Sequence, residues 1–299
     1  MWRRVLMALG IAATSGDASA ADWRVEALDP AAYPPEIVAE TGDPAPDGLP
    51  DGRVARTSDG DIRAAWYVAP TRRYGHGILG DAVEAGGLRV QTAGGEILSL
   101  DLPETEVFED RNPRLADLDG DGRLEVVTLR ASLTAGGSVT VYGLDGGALV
   151  ERGTTGFIGR SNRWLNVAGI ADFLGEGGLQ VAYVQTPHIG GTLIVYRLQR
   201  SGLTRVAELY GFSNHVIGAT EQRLSAVADI DGDGRPDLAL PSADRGTLRM
   251  VAVEPGGIRE IAGVPLPGRV DKAILAEGSG GSLRFVLGLD DGSVVGVAR

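Results

Sequence analysis

The chain has no cysteine, which excludes disulfides and any thiol nucleophile or thiolate metal ligand. Histidine is nearly as scarce: His76, His188 and His215 stand far apart in sequence. A zinc or acid/base centre would need the fold to assemble them, so their spacing favours three separate, hydrogen-bonded side chains. No G-x-S-x-G elbow occurs. The G-x-G-x-x-G match at Gly75–Gly80 runs on into Gly86-Gly87, where a helix would end almost at once. It reads as a turn and not as a dinucleotide loop. No apolar run approaches the roughly 18 to 20 residues that span a bilayer, so no membrane span is expected. Helical periodicity is nearly missing as well, and Asp271–Glu277 is the kind of piece that imitates it.

Positive charge is also short. Lys and Arg total 28 against 40 Asp and Glu, a net charge of −12, which argues against nucleic acid or anionic membrane as partner. Aromatic residues make up 5% of the chain, and Trp23, Trp66 and Trp164 read as packing residues between sheets.

What the chain does have is glycine, proline and short apolar runs, with 45 Gly and 15 Pro. At the start, Arg3 and Arg4 precede a short apolar stretch and the small-residue triplet Ala18-Ser19-Ala20. This reads as an export signal over 1–20, leaving 21–299 as one domain that is periplasmic or extracellular and monomeric. From about residue 53, strand-length runs rich in Val, Leu and Thr recur between Gly, Asp and Pro. The reading is all-β.

Two stretches, ADLDGDGRLE from Ala116 and ADIDGDGRPD from Ala228, supply a ruler for repeats. ADFLGEGGLQ places Asp172 in the slot of Asp117, and weaker matches place Asp81 and Ala276 there. A unit of roughly 40 to 57 residues with four short strands is the size of a β-propeller blade. Counting this way predicts six blades, with five or seven left open. The strand Asp22–Leu28 completes the last blade and closes the ring between the chain ends. The proline-rich stretch Pro30–Pro50 is read as loop.

The repeated stretches concentrate carboxylates that repel unless a cation sits among them. Hard divalent cations take oxygen ligands, and Ca²⁺ takes about six to eight. Asp117, Asp119 and Asp121 stand at positions one, three and five of a loop, with Gly122 at the sharp turn. Arg123 would offer its carbonyl and Glu125 a final carboxylate. Asp229, Asp231, Asp233, Arg235 and Asp237 repeat these roles. An EF-hand would need Glu at position twelve and flanking helices, whereas Thr128 and Leu240 stand there between strands. The third loop has Leu174 and Gln180 where ligands belong, so two calcium ions are expected and not three.

These loops resemble the calcium loops of FG-GAP/VCBS repeats, found in the heads of integrin α chains and in many exported bacterial proteins. The resemblance implies a propeller, calcium between strands, and an adhesion or interaction role toward a protein or glycan partner. The rival expectation is a propeller enzyme, a hydrolase or lyase. Its mark would be His, acid and Arg side chains converging at one channel mouth, and Arg72, Arg73, Tyr74 and His76 are the first place to look.

Overall fold

The computed structural model describes residues 23–33, 44–45 and 47–299. Residues 1–20, read above as an export signal, and much of the proline-rich stretch lie outside the described residues. The fold is all-β, with no α-helix among the described residues. No helix there is long and apolar enough to cross a membrane.

Strand β1 (Arg24–Leu28) comes first in sequence but belongs to the end of the fold. The first four-stranded unit follows: β2 (Ala55–Arg56), β3 (Ile62–Thr71), β4 (Glu84–Thr92) and β5 (Ile97–Asp101). After a connecting strand β6 (Glu106–Phe108), the second unit is β7 (Arg114–Ala116), β8 (Glu125–Ser132), β9 (Gly136–Asp145) and β10 (Ala148–Thr154). β6 pairs with both β4 and β8, so these two units share one nine-stranded sheet. The third unit is β11 (Leu165–Ala171), β12 (Gln180–Gln185), β13 (Thr192–Gln199) and β14 (Gly202–Tyr210). The fourth is β15 (Ala226–Ala228), β16 (Asp237–Pro241), β17 (Thr247–Glu254) and β18 (Gly257–Pro265). The last joins β19 (Val270–Glu277), β20 (Arg284–Leu289) and β21 (Val294–Ala298) to β1 on its outer edge.

The described residues thus form five four-stranded antiparallel groups, one fewer than the repeat ruler predicts. The surplus comes from Asp81. It lies between β3 and β4, the second and third strands of its unit, where it caps the N–H of Val83 at 2.7 Å. The turn that corresponds to the acidic loops is Thr57–Asp61, between β2 and β3. Asp271–Glu277 is strand, within β19, as its short length and flanking turns suggest.

The units pack on one another in chain order, which fits a β-propeller-like architecture. The four large apolar clusters each bridge neighbouring units. One joins Leu129, Val141 and Trp164 to Val181 and Tyr183, and another joins Met250 and Ile261 to Phe285 and Trp23. Full burial of side chains this size stabilises by about 1.5–3 kcal/mol each.

Antiparallel order sorts the connections by parity. Turns from first to second strand and from third to fourth emerge at one end of the fold. Turns from second to third, and passages between units, emerge at the other. All the acidic loops fall at the first end, and all three histidines fall at the second.

Candidate functional site

At the acidic end, each full loop wraps its backbone around its first aspartate. Asp117 accepts the N–H groups of Gly120 at 2.8 Å and Gly122 at 2.9 Å, and Asp229 accepts those of Gly232 at 2.8 Å and Gly234 at 3.0 Å. Gly122 and Gly234 sit at φ +85° and +87°, a region open to glycine at no steric cost. The ninth-position acid folds back beneath the loop. Glu125 accepts the N–H of Leu118 at 2.9 Å, and Asp237 that of Ile230 at 2.9 Å.

Asp117, Asp119 and Glu125 therefore bring one oxygen each within 4.8 Å of one another, and Asp229, Asp231 and Asp237 do the same. These two clusters could hold a metal ion. Glu125 and Asp237 are 1% and 3% exposed. Burial, only partly offset by the Leu118 and Ile230 N–H groups, pushes both carboxyls up to about 7. A cation among them would pull both down again.

The fifth-position acids stand apart. Asp121 and Asp233 accept the N–H of Arg123 and of Arg235, each at 2.8 Å, and Asp233 also pairs with the Arg235 guanidinium. The Arg123 side chain reaches the neighbouring unit and donates to Asp61 at 3.1 Å. A basic residue that sequence reading passes over borders each cluster: Arg152 lies 3.5 Å from Asp119, and Arg259 lies 2.8 Å from Asp231.

The third loop keeps the fold without the charges. Asp172 accepts the N–H groups of Glu176 at 2.9 Å and Gly177 at 2.8 Å, while Glu176 pairs with Arg197. Gln180 replaces the ninth acid, accepting from Leu174 N–H at 3.0 Å and donating to the Gly178 carbonyl at 2.7 Å. The amide supplies both a donor and an acceptor where the other loops have only acceptors.

At the opposite end the expectation of three separate histidines fails. Nε2 of His188 lies 3.0 Å from Nδ1 of His215, and Nε2 of His215 lies 2.9 Å from the Ala219 carbonyl. A carbonyl only accepts, so His215 carries its proton on Nε2. Burial and the His188 ring lower His215 to about 3, and burial lowers His188 to about 4, so both are neutral near pH 7. His188 must then donate from Nε2 to His215, which leaves its own Nδ1 as an acceptor.

Trp164 ties this dyad to the third histidine. Its ring lies parallel to His188 and edge-on to His215, and its N–H donates to the Glu109 carbonyl at 2.9 Å. The Glu109 carboxyl meets Nδ1 of His76 at 2.5 Å. Burial raises Glu109 and lowers His76, so the pair shares one proton and carries no net charge. Arg73 and Tyr74, flagged in the sequence, have structural partners. Arg73 donates to the Glu106 carbonyl, and the Tyr74 hydroxyl accepts the Asn162 N–H at 3.0 Å.

Beneath this face lies a group of buried amides that the sequence does not reveal. Asn166 donates to the carbonyls of Asn214 and Gln222, Asn214 to those of Asn166 and Val167, and Gln222 to Asp110. Their nitrogens are thereby assigned. The three side-chain oxygens are buried without a protein donor. Gln222 lines a cavity of about 530 Å³ between the innermost strands.

No protein-family model matches the sequence, and no curated protein does. Among solved structures, the Bacillus licheniformis rhamnogalacturonan lyase PL11 matches with a TM-score of 0.50 and 16% identity, over 90% of this chain and 50% of that one. The exotype rhamnogalacturonan lyase YesX matches with a TM-score of 0.42 and 14% identity, over 81% and 56%. BBS1N, solved with ARL6DN, gives 0.40 and 14%, over 72% and 57%. The chain spans little more than half the length of these structures. At such identities the likeness concerns the fold alone.

Proposed function

We propose that the chain is an exported, calcium-stabilised β-propeller of five blades that binds a protein or glycan partner through its loops, as a monomer. The observation that carries the reading is the duplicated cluster: two loops in different units each gather the carboxylates of positions one, three and nine. A donor set of carboxylate oxygens suits a hard cation such as Ca²⁺. The packing of successive units supports the propeller reading, and the pairing of β1 with β21 completes the last blade. Export rests on Arg3, Arg4 and Ala18-Ser19-Ala20, and the interaction role on the resemblance to FG-GAP/VCBS loops. Melting in chelator and in millimolar calcium tests the reading. An ion bound only by the native state stabilises by about 2.7 kcal/mol at a hundred times its dissociation constant. An unchanged midpoint overturns structural calcium.

One observation favours the enzyme as a second reading. His, acid and Arg groups converge at one end of the fold, where His188 is a neutral base oriented by His215. The likeness to a rhamnogalacturonan lyase bears on architecture and leaves the reaction open.

A further inference from the structure

Beside the histidine dyad is a cavity of about 360 Å³, lined by His188, His215, Arg245 and Arg269 among others. Its charge runs against that of the chain. Among the described residues Arg245 donates to the Val270 carbonyl at 2.8 Å and forms no ion pair, and the Arg269 guanidinium makes neither hydrogen bond nor ion pair, feeling only the longer-range attraction of Asp244. One carboxylate, Asp244, lines the same space, but its Oδ1 is engaged by the Ser242 hydroxyl at 2.5 Å and the Gly246 N–H at 3.0 Å. Two guanidiniums against one carboxylate leave a positive surplus in a protein of net charge −12. Many of the other arginines, by contrast, are paired to acids.

The remaining lining adds two requirements. Nδ1 of His188, unprotonated in the tautomer that the dyad requires, accepts a hydrogen bond and cannot give one. Ile217, 66% exposed, offers an apolar wall. The backbone is held in costly conformations on both sides, with Thr186 at φ +50° two residues before His188 and Arg245 at φ +63°. A β-branched residue in the left-handed region is a rare outlier, and such strain gathers at ligand sites.

We propose that this cavity binds a small hydroxy acid with an apolar body. Arg245 and Arg269 take the carboxylate, Nδ1 of His188 accepts from the hydroxyl, and Ile217 covers the apolar part. The proposal deepens the reading of the loops as a binding surface, and it is independent of the acidic loops. Guanidinium groups suit carboxylates through charge-assisted hydrogen bonds, and the imidazole distinguishes a hydroxy acid from a plain one.

The test is calorimetry on the full chain in millimolar calcium with three probes: mandelate, phenylacetate and 1-phenylethane-1,2-diol. Mandelate is expected to bind. Phenylacetate, lacking the hydroxyl, should bind about tenfold more weakly, and the uncharged diol below detection. Nitrogen NMR of the three histidines should show mandelate moving the His188 Nδ1 signal. Arg269→Gln should weaken mandelate about tenfold or more with a nearly unchanged melting point, since among the described residues this exposed side chain makes no hydrogen bond or ion pair and only a screened attraction to Asp244. The proposal is overturned by absent mandelate binding, by a diol that binds equally well, or by an Arg269→Gln protein that binds normally. Inorganic sulfate, injected as a fourth probe, would also overturn it by matching mandelate, which would reveal a site for anions at large. Because melting in chelator is read separately, a failure here leaves the calcium reading standing, and the converse holds too.

Discussion

Gly191 and Phe212 approach so closely that a Cβ on Gly191 would lie 1.5 Å from the Phe212 carbonyl oxygen. Gly191 N–H donates to Thr186 O at 3.2 Å, and its own carbonyl accepts from Gly211 and Phe212 at 2.8 and 3.0 Å. This knot sets the loop carrying His188 against the passage carrying His215. Gly191→Ala should therefore cost about 3 kcal/mol or more, beyond what a surface substitution costs. Urea unfolding measures it, and the His188–His215 NMR contact should vanish even where the variant folds.

Calcium stoichiometry should be near two by calorimetry. Asp119→Ala should remove one site, and Asp172→Ala should leave the count unchanged, because Asp172 serves the backbone N–H groups of its own loop. A third site lost on the latter change would contradict the assignment of Gln180 as a stand-in for an ion.

Arg259 competes with any cation for Asp231. Arg259→Gln should tighten metal binding at the second loop while leaving the first untouched, since Arg152 borders that one. Equal affinities before and after would show that the guanidinium does not oppose the ion.

Glu84 on one side and the histidine dyad on the other set opposing pH trends. Burial, reinforced by Glu109, pushes Glu84 up to about 9, so between its ordinary value and pH 9 the folded state holds more protons than the unfolded. Stability from this group falls as pH rises through that window. Glu84→Gln should flatten the decline between pH 6 and 9, as read by urea midpoints. His188 and His215, lowered to about 4 and 3, work the other way. The unfolded state takes up their protons first, so stability is lost as pH falls from about 6.5 toward 4. His188→Gln should reduce that acid-side slope; an unchanged slope would place the titration elsewhere.

Strands and acidic loops are legible in the sequence because both depend on local chemistry: short Val-rich runs between turns, and carboxylates at alternate positions. Glu125 and Asp237 are found by spacing alone, and they do fold back to their loops. Asp121 and Asp233 show the limit, since their neighbouring arginine N–H groups are an alternative use that spacing does not exclude. The unit count miscarries at Asp81, where a weak match falls one connection out of phase. The histidine assembly is hidden for a different reason: His76, His188 and His215 come from three units, and only the parity of their connections places them at one end. Counting strands before each histidine would reveal it. Glu109 carries no sequence signal at all, and Trp164 reads there only as a packing residue.

The pairing of Arg24 with Ala298 puts the first strand of the fold beside its last. A growing chain can pair each unit as it emerges, yet the final sheet must wait for a segment that was made at the very beginning. Until then two open edges, those of β1 and β21, remain available to neighbours, and contacts of such sequence separation are slow to form. The protein should thus pass through a stage in which most of its sheets exist while closure is still missing, and a free peptide copying residues 23–29 should compete for that closure.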